Sequence, residues 1–333
     1  MKADETAAGV GRFAEIDHLK AIGILAVILI HSVRDPWDPR LSSLDVWIGN
    51  VTRFAVPSFL LCSGFLYATR SRIPSKTVLR RLRRVLVPYL VASAGAQLWW
   101  LWHGEGRDLS TLVGEVLLGA SFGPYYYVFV HFWLVLFAPL FAVLPRSALW
   151  GLTAAMLLSQ GLLETRTIRL FTFFWHIRDP LLWWGYFLLG WVLRLHHEPV
   201  RRFVTSHRGA LVAAAVAAVG LLALLMNGYP GSAWVGAFQW LCIYAIIALV
   251  FVATCGRGKP WRAVAVLADA TFAIYLFHIF FLYAAEEIVG PASSRFGLAE
   301  IGINWCAGLL GALGVIAVVR AALGARSRDV IGA

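Results

Sequence analysis

The chain has 333 residues, of which 60% are hydrophobic and only 14% charged, whereas soluble domains carry about 25% charged residues. A net charge of +11 would suggest a nucleic-acid binder in a soluble protein. Here the basic residues lie between apolar runs, where membrane orientation explains them, and nucleic acid is excluded as a partner.

Apolar runs long enough to span a bilayer occur at about 19–34, 46–67, 85–102, 125–144, 148–163, 180–195, 210–227, 234–254, 264–286 and 300–320. The expected fold is all-α: a polytopic membrane protein built as a bundle of about ten transmembrane helices. It forms a single membrane-embedded domain over 1–333, with short tails at 1–14 and 321–333. Fifteen tryptophans suit interfacial belts. The first run does not read as a cleavable signal peptide, because a polar head precedes it and Arg34-Asp35-Pro36 follows with no small-x-small site.

Loop charge sets orientation. With the N-terminus in the cytoplasm, the segments 1–20, 68–84, 146, 194–208, 257–262 and 320–328 face inward and hold 21 of the 29 Lys and Arg. Positive-inside bias then puts both termini in the cytoplasm and an even number of spans between them. The most basic segment, the loop 68–84, ends in Arg80, Arg81, Arg83 and Arg84, directly before the third run. Attraction to anionic lipid accounts for much of this charge. Arginines so closely spaced also suit bidentate phosphate binding.

The first run opens on Glu15-Ile16-Asp17-His18-Leu19-Lys20 and ends on His31. Eleven residues return to within about 20° of the starting direction on a helix, so Lys20 and His31 share a face roughly 16 Å apart. A charge at one membrane face and an ionisable ring deeper on the same stripe suggest a path into the membrane. Asp17 precedes Lys20 by three residues and is placed to position it. With alternating directions, His31, Arg53, His131, Tyr275 and His278 fall into one slab in the outer half. Each such group is costly in a membrane unless it meets a cavity or a partner. Zinc is not expected there: the histidines have no ligand at i+3 or i+4 and no carboxylate shares their depth. Cys62, Cys242, Cys255 and Cys306 have no metal-ligand spacing and read as packing residues.

The ordered set Lys20 through His31, Arg53-Phe54-Ala55-Val56-Pro57-Ser58-Phe59, Arg84-Val85-Leu86-Val87-Pro88-Tyr89, His131-Phe132-Trp133 and Ile274-Tyr275-Leu276-Phe277-His278 resembles acyltransferase family 3, integral membrane O-acyltransferases. The 53–59 pattern is most similar to the stand-alone surface-polysaccharide O-acetyltransferase branch. The family's usual arginine, separated from the histidine by ten intervening residues, is Lys20 here. The resemblance implies transfer of an acyl group, usually acetyl, from acyl-CoA to a hydroxyl of a cell-envelope glycan or related sugar. It implies a multi-pass protein of a bacterial cytoplasmic membrane, with acetyl-CoA as donor substrate and no permanently bound cofactor. Residue by residue it implies catalysis by His31 and Arg53, and docking of the CoA phosphates on Lys20, Arg80, Arg81, Arg83 and Arg84. Asp17, His131, Tyr275 and His278 take supporting or acceptor-binding roles. The chain ends soon after the tenth run, so the membrane domain or a separate partner is expected to complete the transfer. The rival reading is a transporter or flippase for a lipid-linked or anionic substrate, which would favour inverted repeats that the sequence lacks.

Overall fold

The computed structural model describes residues 12–33, 43–165, 172–228, 234–289 and 297–333. Residues 1–11 of the leading tail, and the segment 34–36 weighed above, lie outside them. Among the described residues the regular structure is entirely helical: α1 Ala14–Ser32, α2 Ser43–Thr52, α3 Ala55–Tyr67, α4 Ser75–Trp102, α5 Leu109–Leu118, α6 Tyr126–Val143, α7 Arg146–Glu164, α8 Phe173–His176, α9 Pro180–Leu195, α10 His197–Gly228, α11 Val235–Thr254, α12 Arg262–Val289, α13 Gly297–Leu323 and α14 Ser327–Val330. Among the described residues six helices are long and apolar enough to cross a membrane. They include α4, α10, α11 and α12, together with α6 and α13 in their continuous stretches Gly123–Val143 and Gly297–Val330. The other expected runs fall in α1, the α2–α3 pair, α7 and α9, which are shorter or more polar.

Three boundaries differ from the sequence reading, each for a local reason. The second run is not one helix: it breaks at Arg53 and Phe54, between α2 and α3. Pro57 lacks the N–H that would bond to the Arg53 carbonyl, and its ring crowds that same carbonyl. Helicity resumes with the Ser58 amide donating to the Phe54 carbonyl at 2.8 Å. Second, Arg80, Arg81, Arg83 and Arg84 are not in a loop but in the first turns of α4. Arginine and lysine are good helix formers, and a helix extends past an apolar run where water accepts its charged face. Third, α10 starts at His197, well ahead of the apolar run, and bends at His207 (φ −117°, ψ 15°).

Helix α1 runs through the middle of the bundle, packed on α3, α11, α12 and α13. It buries Leu19, Ile24, Val27 and Ile28. The tightest crossing is α3 against α9. A Cβ on Gly64 would lie 1.9 Å from the Phe187 carbonyl oxygen, and one on Gly190 2.0 Å from that of Leu61. Small residues at such crossings let backbones approach in a membrane, where van der Waals packing holds helices together.

The helix ends sort into two groups. Arg12, just before α1, reaches Asp269 (3.1 Å) and the Ala265 carbonyl (3.0 Å) in the first turns of α12. Phe13 packs edge-on against Phe65 of α3 and His197 of α10. The starts of α1, α10 and α12 and the end of α3 therefore gather at one end, called here the basic end. At the other, His103 after α4 meets Glu287 near the end of α12 at 2.6 Å.

Candidate active site

A cavity of about 240 Å³ opens among α1, α3, α4, α6 and α12, lined by Lys20, Phe59, Cys62, Ser63, Tyr67, Val85, Tyr127, His131, Asp269, Phe272 and Tyr275. Lys20 and Asp269 mark its basic-end side. The basic cluster divides there. Arg80, Arg83 and Arg84 point into the surroundings, whereas Arg81 is half-buried. Its guanidinium lies 4.2 Å over the Tyr67 ring, an attraction between a cation and the negative face of an aromatic ring. Its Nη1 is buried and has no hydrogen-bond partner among the described residues.

From Tyr67 the aromatic contacts run inward without a gap. The Tyr67 and Tyr127 hydroxyls each stand 3.4 Å from a different ring nitrogen of His131. The Tyr127 and Tyr275 rings are 5.2 Å apart between centroids, Tyr275 and His278 6.1 Å, and His278 and His31 5.6 Å. His31 and His278, on α1 and α12, therefore pack as a pair. His131 is not in contact with that pair but is joined to it through Tyr127 and Tyr275, so the expected slab resolves into two linked histidine centres.

The backbone decides the state of the His278 ring. Its Nδ1 lies 2.8 Å from the Tyr275 carbonyl oxygen and 3.2 Å from that of Ile274. Carbonyl oxygens only accept, so in the neutral ring Nδ1 carries the proton and Nε2 keeps its lone pair. Nε2 is buried with no partner among the described residues. Two tyrosines brace the wall: Tyr125 Oη donates to the Leu276 carbonyl at 2.7 Å, and Tyr275 Oη donates to the Pro124 carbonyl. Tyr275 thus offers the cavity its ring, with its hydroxyl already engaged.

Two of the expected site residues have partners on other segments. Asp17 does not hold Lys20; its carboxylate takes the Arg12 guanidinium, which bridges onward to Asp269. Arg53, in the turn that breaks the second run, has Glu164 and Tyr126 as electrostatic partners. Tyr67, Tyr127 and the inward turn of Arg81 were not singled out from the sequence, because tyrosine in an apolar run is indistinguishable there from a packing or interfacial residue.

A family model described as "Acyltransferase domain", acyltransferase family 3, matches residues 13–321. The chain belongs to that family. It is a multi-pass membrane acyltransferase, and the match takes in every site residue named above except Arg12. No curated protein and no solved structure matches the chain. Acyl transfer needs a base for the attacking group, a place for the leaving group and exclusion of water. The packed histidine pair, joined through Tyr275 to the wall of a cavity with cations at its mouth, is an arrangement suited to these needs.

Proposed function

We propose that the protein moves an acetyl group from cytoplasmic acetyl-CoA to a hydroxyl of a cell-envelope glycan or related sugar, in a bacterial cytoplasmic membrane. The observation that carries this reading is the continuous chain of packed side chains from Arg81 over Tyr67, through His131, Tyr127 and Tyr275 of the cavity wall, to the His31–His278 pair. In this reading the bundle has ten spans, counting α2–α3 as one, with both termini and the basic end in the cytoplasm.

The CoA phosphates dock on Lys20 and Arg81, with Arg80, Arg83 and Arg84 as an attracting field; the buried unsatisfied Nη1 of Arg81 is the donor awaiting an acceptor. The pantetheine arm fills the cavity along Tyr67, Tyr127 and Tyr275. In the reacting complex His278 Nε2 accepts a hydrogen bond from one ring N–H of His31, which aims the other ring nitrogen at the substrate. His31 then takes the proton of the acceptor hydroxyl, the hydroxyl oxygen attacks the thioester carbon, and the C–S bond breaks as the CoA thiolate leaves. In the alternative order His31 itself attacks and passes the acyl group on from its imidazole. Arg53 serves the incoming acceptor or the tetrahedral oxyanion from its position beside Glu164 and Tyr126.

Incubation of purified protein with radiolabelled acetyl-CoA and envelope glycan tests the reading, and label is expected on the glycan. His31→Ala should cut transfer by 10²–10⁴-fold, the usual loss with a general base, with acyl-CoA affinity unchanged. Wild-type turnover in that variant would end the assignment of His31.

A further inference from the structure

At the basic end, outside the cavity, three side chains converge from three helices. Glu15 stands in the first turn of α1, His197 opens α10, and Cys255 directly follows α11. His197 Nε2 lies 2.6 Å from Glu15 Oε1. A ligand atom from each of the three falls within 4.8 Å of the others. Glu15 is 2% exposed and Cys255 0%. Helix and turn geometry alone does not call for a thiol, an imidazole and a carboxylate to share one buried point. Metal–ligand bonds of about 2.0–2.3 Å put tetrahedral ligand atoms roughly 3.3–3.8 Å apart, within reach of small rotations here.

We propose that Glu15, His197 and Cys255 bind a divalent cation of the zinc type, which ties the start of α1 to α10 and α11. The mixed O, N and S donor set selects zinc over magnesium or calcium, which prefer oxygen alone. Three protein ligands leave a fourth position for water, and His197, half-buried, is the side from which water enters. The surroundings fit. Phe13 and Phe65 pack edge-on against His197 and give the point an apolar wall. The nearby cations are engaged elsewhere: Arg194 lies over the Phe13 and Phe65 rings, Arg201 pairs with Glu198 at 2.9 Å, and Arg208 donates to the Cys255 carbonyl. That last bond fixes the backbone from which the thiol projects.

Without metal, burial and the charge of Glu15 push the Cys255 thiol up to about 11, against the opposing pull of Arg208 and Arg201. The site is independent of the acyl-transfer reading, but α1 carries both Lys20 and His31, and a cation at its first turn would hold that helix in place.

Metal-stripped wild-type protein in detergent, titrated with Co²⁺, tests the proposal. The expected result is one saturable site with a thiolate-to-cobalt charge-transfer band, displaced by Zn²⁺, and a higher melting temperature. Cys255→Ser should lose the band although Cys62, Cys242 and Cys306 remain, and His197→Gln should bind more than about tenfold more weakly. A wild-type protein with no such band, or a band that survives in Cys255→Ser, overturns the site. If Cys255→Ser does not fold, unchanged cobalt affinity in His197→Gln overturns it equally.

Discussion

At the scale of single residues, what the sequence makes legible depends on whether partners share a helix. Lys20 and His31 lie eleven residues apart on one continuous helix, so their common stripe follows from helix geometry alone. The pairing of His31 with His278 links residues 247 positions apart, as the two numbers give; sequence suggested a shared depth and only the fold brings the rings together. The Glu15, His197 and Cys255 cluster was invisible for the same reason, since spacing rules see only ligands on one segment. Arg81 is the residue whose role the fold changes most. In the sequence it is one of four equivalent arginines, yet it alone turns onto Tyr67 at the cavity wall. If it binds a CoA phosphate, Arg81→Gln should weaken acyl-CoA binding by about tenfold or more, since a charge-assisted hydrogen bond contributes roughly 1.5–3 kcal/mol. The exposed Arg83→Gln should lose less. Titrating CoA and dephospho-CoA against Arg81→Gln, Arg83→Gln and Lys20→Gln in detergent checks this. Wild-type affinity for both ligands in all three would reduce the cluster to a topology signal.

At the scale of elements, each of the ten apolar runs corresponds to helix, but the ends were misjudged where charge or proline intervenes. Hydropathy marks where a helix is greasy; it does not mark where its backbone hydrogen bonds stop. Hence α4 and α10 reach well beyond their apolar runs, and the second run hides a break that Pro57 imposes on Arg53. The α3–α9 crossing is another feature hydropathy cannot show, because glycine in an apolar run has no partner assigned to it. Gly64→Ala and Gly190→Ala would each drive a methyl group into a carbonyl oxygen of the facing helix. Overpacking of this kind costs about 1–3 kcal/mol, and backbone cannot swing aside as a side chain can. Gly220, in α10 with open space around it, is the control: alanine there gains helix propensity worth up to about 1 kcal/mol. Thermal melts in detergent should show the two crossing variants lowered and Gly220→Ala equal to or above wild type. Equal melts for all would mean that α3 and α9 do not depend on their close approach.

At the scale of the whole molecule, orientation is the quantity that both charge and fold bear on. The segments that carry most of the Lys and Arg are those that the fold gathers at the basic end: the starts of α1, α10 and α12 meet there, and α4 begins there with Arg81 against the end of α3. An alternating bundle could have been threaded with its basic loops split between two ends; this one is not. The positive-inside bias predicts that this end faces the cytoplasm, the side from which the proposed acyl-CoA donor would enter the cavity mouth. Two exposed glycines with open space around them make the test clean. Gly258 lies between α11 and α12 at the basic end, and Gly106 lies between α4 and α5 at the other. Of the native cysteines Cys62, Cys242 and Cys255 are buried and Cys306 is exposed, so a Cys306→Ser background removes the one accessible thiol among them. In that background Gly106→Cys should react with an impermeant maleimide on intact cells, and Gly258→Cys only after the membrane is opened. The reverse pattern would invert the bundle, put Lys20 and Arg81 on the outside, and exclude cytoplasmic acyl-CoA as the ligand of the cavity.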